Sequence, residues 1–361
     1  MEEPIIQKHQ HDNVLKFSIE NLNVIFINAI RRTILSDIPV FVFRTSPHEE
    51  NLANITINTT RLNNEIIKQR LACIPIHVSD MKMPFEKYII EVNKQNNTSE
   101  IQYITTEDFK IKDTTIDEYL DEDERKKWFP PNNITDQYID FVRLRPKITE
   151  ALPGEHLQFT AKLGIGSAKE AGTYNVACTC SFGNVMDEEE AEKVWQEKEK
   201  DLHNEYSDAQ IKEQKDNWFL LEAKRFSIPN SFNFILESIG IFTNNSLIKQ
   251  SCNIINAQLE DILTKITIQP SKTTMNNSYD IILENKDYTI GKLIEYAMYH
   301  QYYEKEDVIG FISFFKTHPH ENDGTLRIAF NETTDEEQVR AFIYQSCQSC
   351  IKLYNYIHSQ F

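Results

Sequence analysis

Two segments of the chain carry apolar residues at a four-three-four-three-four spacing: Ile248, Cys252, Ile255, Leu259, Ile262 and Ile266, and then Val339, Ile343, Ser346, Cys350, Leu353 and Ile357. On an α-helix that spacing lines every member along one narrow stripe, which must be buried to be stable. So thin a seam suits a partner that is itself a helix. The two seams therefore ask for each other, and the chain is expected to pack its last helix on one formed after residue 245. Between them, Gln269 to Ser278 holds one Pro, two Ser, two Thr and two Asn with few apolar residues, and reads as a linker.

The rest of the chain mixes both periods. Leu22, Phe26, Ala29, Ile30, Thr33 and Ile34 make an amphipathic stripe over residues 22 to 38, and Pro39 stops it. After it the period drops to two, in Ile55/Ile57, Tyr88/Ile90/Val92, Leu157/Phe159/Ala161/Leu163 and Tyr174/Val176/Cys178/Cys180/Phe182. Residues 48 to 185 should be rich in strands, with a short helix in the acidic piece 113 to 127 and a loop at Pro130-Pro131-Asn132-Asn133. Residues 279 to 330 read strand, helix, strand, strand before the final helix. This is an α+β pattern, and 361 residues exceed what one hydrophobic core usually fills.

Charge and composition exclude several function classes. A net charge of −17 with no Lys/Arg run opposes direct DNA binding. The longest apolar runs, such as Val40-Phe41-Val42-Phe43, are far too short to span a bilayer, and residues 1 to 13 lack a signal-like apolar core. Sequons such as Asn54-Ile-Thr56 and Asn331-Glu-Thr333 follow from an Asn-rich composition. The most acidic stretch, 186 to 216, has twelve Asp/Glu against five Lys/Arg and reads as a solvated helix or charged linker, or else as a docking surface for a basic partner.

No catalytic or metal constellation emerges. Of six cysteines only Cys347 and Cys350 have pair spacing, and they fall inside a helix; Cys178 and Cys180 look like core residues of one strand face. His9-Gln-His11 and His318-Pro-His320 lack a third ligand nearby and read as tail and turn. The stretch Gly164 to Gly172 lacks the Lys-Ser/Thr ending of a phosphate loop and lies between strands, and Ser246-x-x-Lys249 has no accompanying base or oxyanion donor. No metal and no cofactor is expected.

Three phrases carry more. Residues 28 to 39 read Asn-Ala-Ile-Arg-Arg-Thr-Ile-Leu-Ser-Asp-Ile-Pro, residues 65 to 75 read Glu-Ile-Ile-Lys-Gln-Arg-Leu-Ala-Cys-Ile-Pro, and residues 287 to 294 read Asp-Tyr-Thr-Ile-Gly-Lys-Leu-Ile. In the first, Arg31 and Arg32 diverge by about 100 degrees on a helix. In the third, Asp287 and Thr289 both suit an N-cap, and Gly291 in the first turn suggests close backbone packing.

The first two phrases resemble the third-largest subunit of eukaryotic RNA polymerase II (D in archaea, alpha in bacteria), and the third resembles the eleventh-largest (L in archaea). The resemblance covers Phe17 to Asp80, Phe141 to Phe182, Phe226 to Ile266 and Ile281 to Ile357 in the family order. It implies two alpha-like partners fused in one chain, an arrangement known among large cytoplasmic DNA viruses. The implied layout is an alpha-like dimerisation domain at 14–47 and 217–268, an inserted strand-rich domain at 48–216, a linker at 269–278 and a smaller alpha-like dimerisation domain at 279–361.

The implied function is a non-catalytic assembly platform for a DNA-dependent RNA polymerase, itself a nucleotidyltransferase complex whose magnesium belongs to its large subunits. Asn28, Arg31, Arg32 and Arg70 would face the two large catalytic subunits, small polymerase subunits would join them, and the two seams with Gly291 would join the halves. A viral source implies the cytoplasmic viral factory and the virion; a cellular one implies the nucleus. Ala168-Lys169-Glu170 match a loop of the family's inserted domain. Relatives that carry a cysteine cluster there differ from this chain, which has no cysteine between Cys73 and Cys178. The competing readings are an interaction protein outside transcription that reuses the fold and, more remotely, a transferase using the Gly164 to Gly172 loop.

Overall fold

The computed structural model describes residues 3–11, 13–149, 153–202 and 206–361. The chain begins with a hairpin, β1 (Ile5–His11) and β2 (Val14–Glu20), so His9 lies in a paired strand and not in a tail. Next come α1 (Val24–Ser36), β3 (Val40–Val42), β4 (Ala53–Asn58) and α2 (Asn64–Ala72). Strands β5 (Tyr88–Gln95), β6 (Gln102–Thr105), β7 (Lys110–Asp113) and β8 (Glu118–Tyr119) follow, then α3 (Glu122–Trp128), β9 (Asp140–Leu144), β10 (His156–Lys162), β11 (Gly164–Gly166) and β12 (Ala177–Met186). The chain continues through α4 (Glu188–Leu202), α5 (Asp208–Leu220), β13 (Ser227–Ser238) and α6 (Asn244–Lys265). It closes with β14 (Thr267–Pro270), β15 (Ser278–Leu283), α7 (Tyr288–Met298), β16 (Ile309–Phe315), β17 (Gly324–Phe330) and α8 (Glu336–Gln360).

Two compact units hold these elements: Met1–Ile34 with Thr179–Glu237 and Asn244–Phe361, and Leu35–Cys178 with Ser238–Thr243. The first unit contains two four-stranded sheets, ordered β1-β2-β13-β12 and β14-β15-β17-β16. In the former, Leu15, Phe17 and Ile19 alternate inward and pair with Leu236, Phe234 and Phe232, and the rings of Phe17 and Phe234 stack at 4.9 Å. In the latter, β14 pairs with β15 from Thr267↔Ile282 to Pro270↔Tyr279, so the expected linker 269–278 is in large part a hairpin. Its turn residues were visible as a break in the helical period; its strand depends on β15 offering a partner.

The acidic stretch 186–216, of which residues 203–205 lie outside the described ones, folds as α4 and α5. They pack on each other through Ala191, Trp195, Ile211 and Trp218, with Lys198 Nζ 4.7 Å from the Trp218 ring centre. A sequence that is polar on average still supplies four apolar residues at helical spacing, enough for one buried face.

The second unit is built on a five-stranded sheet ordered β4-β10-β5-β7-β8, with two-stranded ribbons β11-β3 and β6-β9. Phe109 sits fully buried among Phe43, Phe129, Phe141 and Phe159, its ring centre 5.4 to 6.3 Å from theirs. Asn63 caps α2 by accepting a hydrogen bond from the Ile66 amide, and residues 73–80 after the helix form no strand. The acidic piece 113–127 is helical only from Glu122, where Asp121 caps α3.

The expected insert, 48–216, differs from this unit at both ends. Pairing of Val40–Val42 with Gly164–Gly166 brings residues 35–47 into it, and α4 and α5 belong to the first unit instead. Arg44 pins the Gly164 to Gly172 loop, donating from Nη2 to the Ile165 carbonyl at 2.6 Å and to Glu170 at 2.8 Å, and from Nη1 to Glu50 at 2.9 Å.

Candidate functional site

Helix α1 starts where Asn23 accepts a hydrogen bond from the Ile25 amide at 3.0 Å, and its inner face buries Phe26, Ile27, Ala29, Ile30, Thr33 and Ile34. That burial leaves Asn28 and Arg31 half-buried and Arg32 exposed. Arg31 does not float: its Nε and Nη2 both donate to Asn28 Oδ1, at 3.0 and 2.8 Å. The i, i+3 spacing on a helix places the two side chains together. The clamp orients the guanidinium while leaving Nη1 for another acceptor. Behind it, the Cys180 thiol donates to the Arg31 carbonyl at 3.7 Å, and burial pushes that thiol up to about 12.

Arg32 has an acceptor within the chain. Its Nη2 lies 3.3 Å from Asp287 Oδ2, while Asp287 Oδ1 accepts the Thr289 amide at 2.9 Å as the N-cap of α7. Of the two cap candidates, Asp287 is the one used. Both members of the ion pair are nearly half exposed, so it contributes little, about 0 to 1 kcal/mol. It nonetheless joins α1 to the start of α7.

The two seams lie on α6 and α8, which pack on each other. Ile248, Cys252, Ile255, Leu259 and Ile262 are buried on α6, as are Val339, Ile343, Ser346, Cys350, Leu353 and Ile357 on α8; Ile266 is buried just past the end of α6. Asn256 donates to Asn355 Oδ1 at 2.8 Å between these helices. Tyr354, buried on α8, donates from its hydroxyl to the Phe26 carbonyl of α1 at 3.2 Å, and its ring centre lies 6.2 Å from that of Phe26. Lys286 reaches Asp261 of α6 at 2.9 Å, and hydrogen bonds from Lys265 and then Lys286 hold that carboxyl at about 2.

Gly291, expected among the inter-half contacts, does different work. A Cβ there would lie 2.3 Å from the Phe314 ring, and one at Gly324 would lie 2.2 Å from the same ring, so the glycines admit Phe314 of β16 within their own segment. Arg70, expected beside Asn28, Arg31 and Arg32, belongs to the second unit. Its Nε and Nη2 donate to the carbonyls of Phe141 and Asp140 at 2.7 and 3.1 Å.

The cysteines divide by burial. Cys252, Cys347 and Cys350 are buried, and burial raises all three thiols, the first two to about 12. Cys178 is exposed, contrary to its reading as a core residue, because the buried positions at this end of β12 are Ala177 and Cys180, so the two cysteines do not share one buried face. Among the described residues no group of three or more His, Cys, Asp and Glu side chains is placed to hold a metal ion, and no helix is long and apolar enough to cross a membrane.

No protein-family model matches the chain. It is similar to the DNA-directed RNA polymerase subunit Rpo3 of Picrophilus torridus, at 34% identity over 79 residues. That stretch spans 20% of this chain and 29% of the length of Rpo3, so the likeness is to part of an RNA polymerase subunit.

Proposed function

We propose that the chain is a non-catalytic assembly subunit of a DNA-dependent RNA polymerase, in which two alpha-like segments form an intramolecular heterodimer that recruits the two large catalytic subunits. In this reading β2, α1, β13 and α6 form the first dimerisation domain, the second unit is the insert, and 279–361 are the covalently tethered partner. The fusion suits a large DNA virus, with the viral factory and virion as its sites of action. The partial similarity to Rpo3 supports the polymerase assignment. The observation that carries the recruiting role is the Asn28–Arg31 clamp, which holds a half-buried guanidinium ready on a helix whose other face is filled.

Charge-assisted hydrogen bonds are worth about 1.5 to 3 kcal/mol each, so losing those of Arg31 should weaken large-subunit binding about tenfold or more. The test is co-purification of the large subunits with tagged Arg31→Ala and Arg31→Ala/Arg32→Ala chains. Reduced recovery with an unchanged melting temperature is the expected result. Full recovery with the double variant defeats the recruiting role of this helix.

A further inference from the structure

A cleft of about 190 Å³ in the second unit gathers arginines in a chain whose net charge is −17. Arg61 and Leu62 come from the turn before α2, Arg70 from its last turn, Tyr103 from β6, Arg143 from β9, and Arg145 from just beyond that strand. Strand alternation explains the convergence. Tyr103 and Arg143 are partners in the β6-β9 register and both are exposed, while Ile104, Val142 and Leu144 turn into the core.

The four guanidiniums are not equivalent. Arg70 is fixed on the carbonyls of Phe141 and Asp140. Arg145 is neutralised by Glu155, a buried carboxylate that also accepts the Arg145 amide at 2.7 Å. Among the described residues the guanidinium groups of Arg61 and Arg143 have no hydrogen bond or ion pair. The lining thus sets four arginines against two carboxylates, Asp140 and Glu155, and two of its forks lack acceptors. Guanidinium forks match carboxylates in bidentate geometry.

We propose that this cleft docks a short acidic segment of a partner protein, its carboxylates on Arg61 and Arg143 and an apolar side chain against Leu62 and Tyr103. Two observations favour a peptide over nucleic acid. A polyphosphate extending past the cleft would meet a protein of net charge −17, and two free arginines cannot track a backbone. Beside the arginines the cleft carries apolar surface from Leu62 and the Tyr103 ring, which suits a peptide's side-chain anchor. The inference goes beyond the polymerase reading and does not rest on it, since neither Arg61 nor Arg143 lies on α1.

The test is fluorescence anisotropy of a labelled peptide of alternating glutamate and leucine with the full chain at low salt. Saturable binding is expected, lost when glutamine replaces glutamate, weakened by salt, and weakened about tenfold or more by Arg61→Glu/Arg143→Glu. Because neither arginine has an intramolecular partner, that variant should melt at the parent temperature. Tyr103→Ala should weaken the glutamate-leucine peptide more than a glutamate-serine one. Absence of saturable binding, indifference to the double variant, or tighter variant-sensitive binding of a single-stranded oligonucleotide would each overturn the proposal. Co-purification with large subunits is scored separately through Arg31, so the two readings can fail independently.

Discussion

At the scale of single residues, Gly291 shows how a missing methyl group decides packing. Replacing it with Ala in α7 gains about 1 kcal/mol of helix propensity, but its Cβ would press 2.3 Å from the Phe314 ring, and overpacking a core typically costs about 1 to 3 kcal/mol. Phe314 is nearly fully buried and Gly324 closes its other side, so the ring has nowhere to go. Gly291→Ala should therefore lower the urea midpoint, and Phe314→Leu added to it should recover part of the loss. A Gly291→Ala chain as stable as the parent would show that the ring relaxes. Thiols give a second check at this scale. Cys73 and Cys178 are exposed and should react quickly with an aromatic disulfide reagent near pH 8, whereas Cys180, Cys252, Cys347 and Cys350 should wait for unfolding. Rapid labelling of Cys252 or Cys350 would mean that the α6 and α8 seams are open. The glycine's need for close packing was legible in its helix position, but the ring that needs it was not. Nor was Asp287 as the acceptor for Arg32, because that pair spans 255 residues of sequence.

Among elements, the seams of α6 and α8 were the most legible because helical periodicity is a local property of the chain. Strands were less so. Leu15, Phe17 and Ile19 alternate plainly, and β2 pairs locally with β1, but its other neighbour, β13, lies more than two hundred residues on; β14 exists because β15 pairs with it. Residues 73–80 bury Ile74 and Ile76 without becoming a strand, since no neighbouring strand takes their backbone groups. Electrostatics ties α6 to the turn before α7 at Asp261. Lys265 and Lys286 hold its carboxyl at about 2, below the 3.8 of a free aspartate. A depressed carboxyl pKa stabilises the fold fully above the unfolded value, about 4, and that contribution disappears as pH falls toward 2. Asp261→Asn should therefore lower the urea midpoint at pH 6, with the gap to the parent narrowing between pH 4 and 2. A gap that stays constant over that range would assign the loss to side-chain packing and not to the two lysines.

For the molecule as a whole, the question is whether residues 279–361 are held by the chain that leads to them or by the surfaces they present. The contacts favour the surfaces. Val339, Ile343, Cys350, Leu353 and Ile357 are buried on the helix that packs against α6, and Tyr354 anchors on Phe26. Even the hairpin at the junction is a ladder between β14 and β15, which a cut in its turn would leave as pairing between two fragments. Burying a leucine-sized side chain contributes about 1.5 to 3 kcal/mol, and several are buried on each side. Cleavage between Lys272 and Asn276, or separate expression of 1–270 and 277–361, should thus yield two pieces that co-elute in gel filtration at micromolar concentration. Leu259→Asp should separate them, because it places an unpaired charge at a fully buried seam position. If the cut pieces of the parent sequence elute apart, the tether and not the seam holds the halves. The intramolecular heterodimer would then fail, and the partial likeness to Rpo3 would remain as support for the polymerase reading without the architecture that explains how one chain could serve for two.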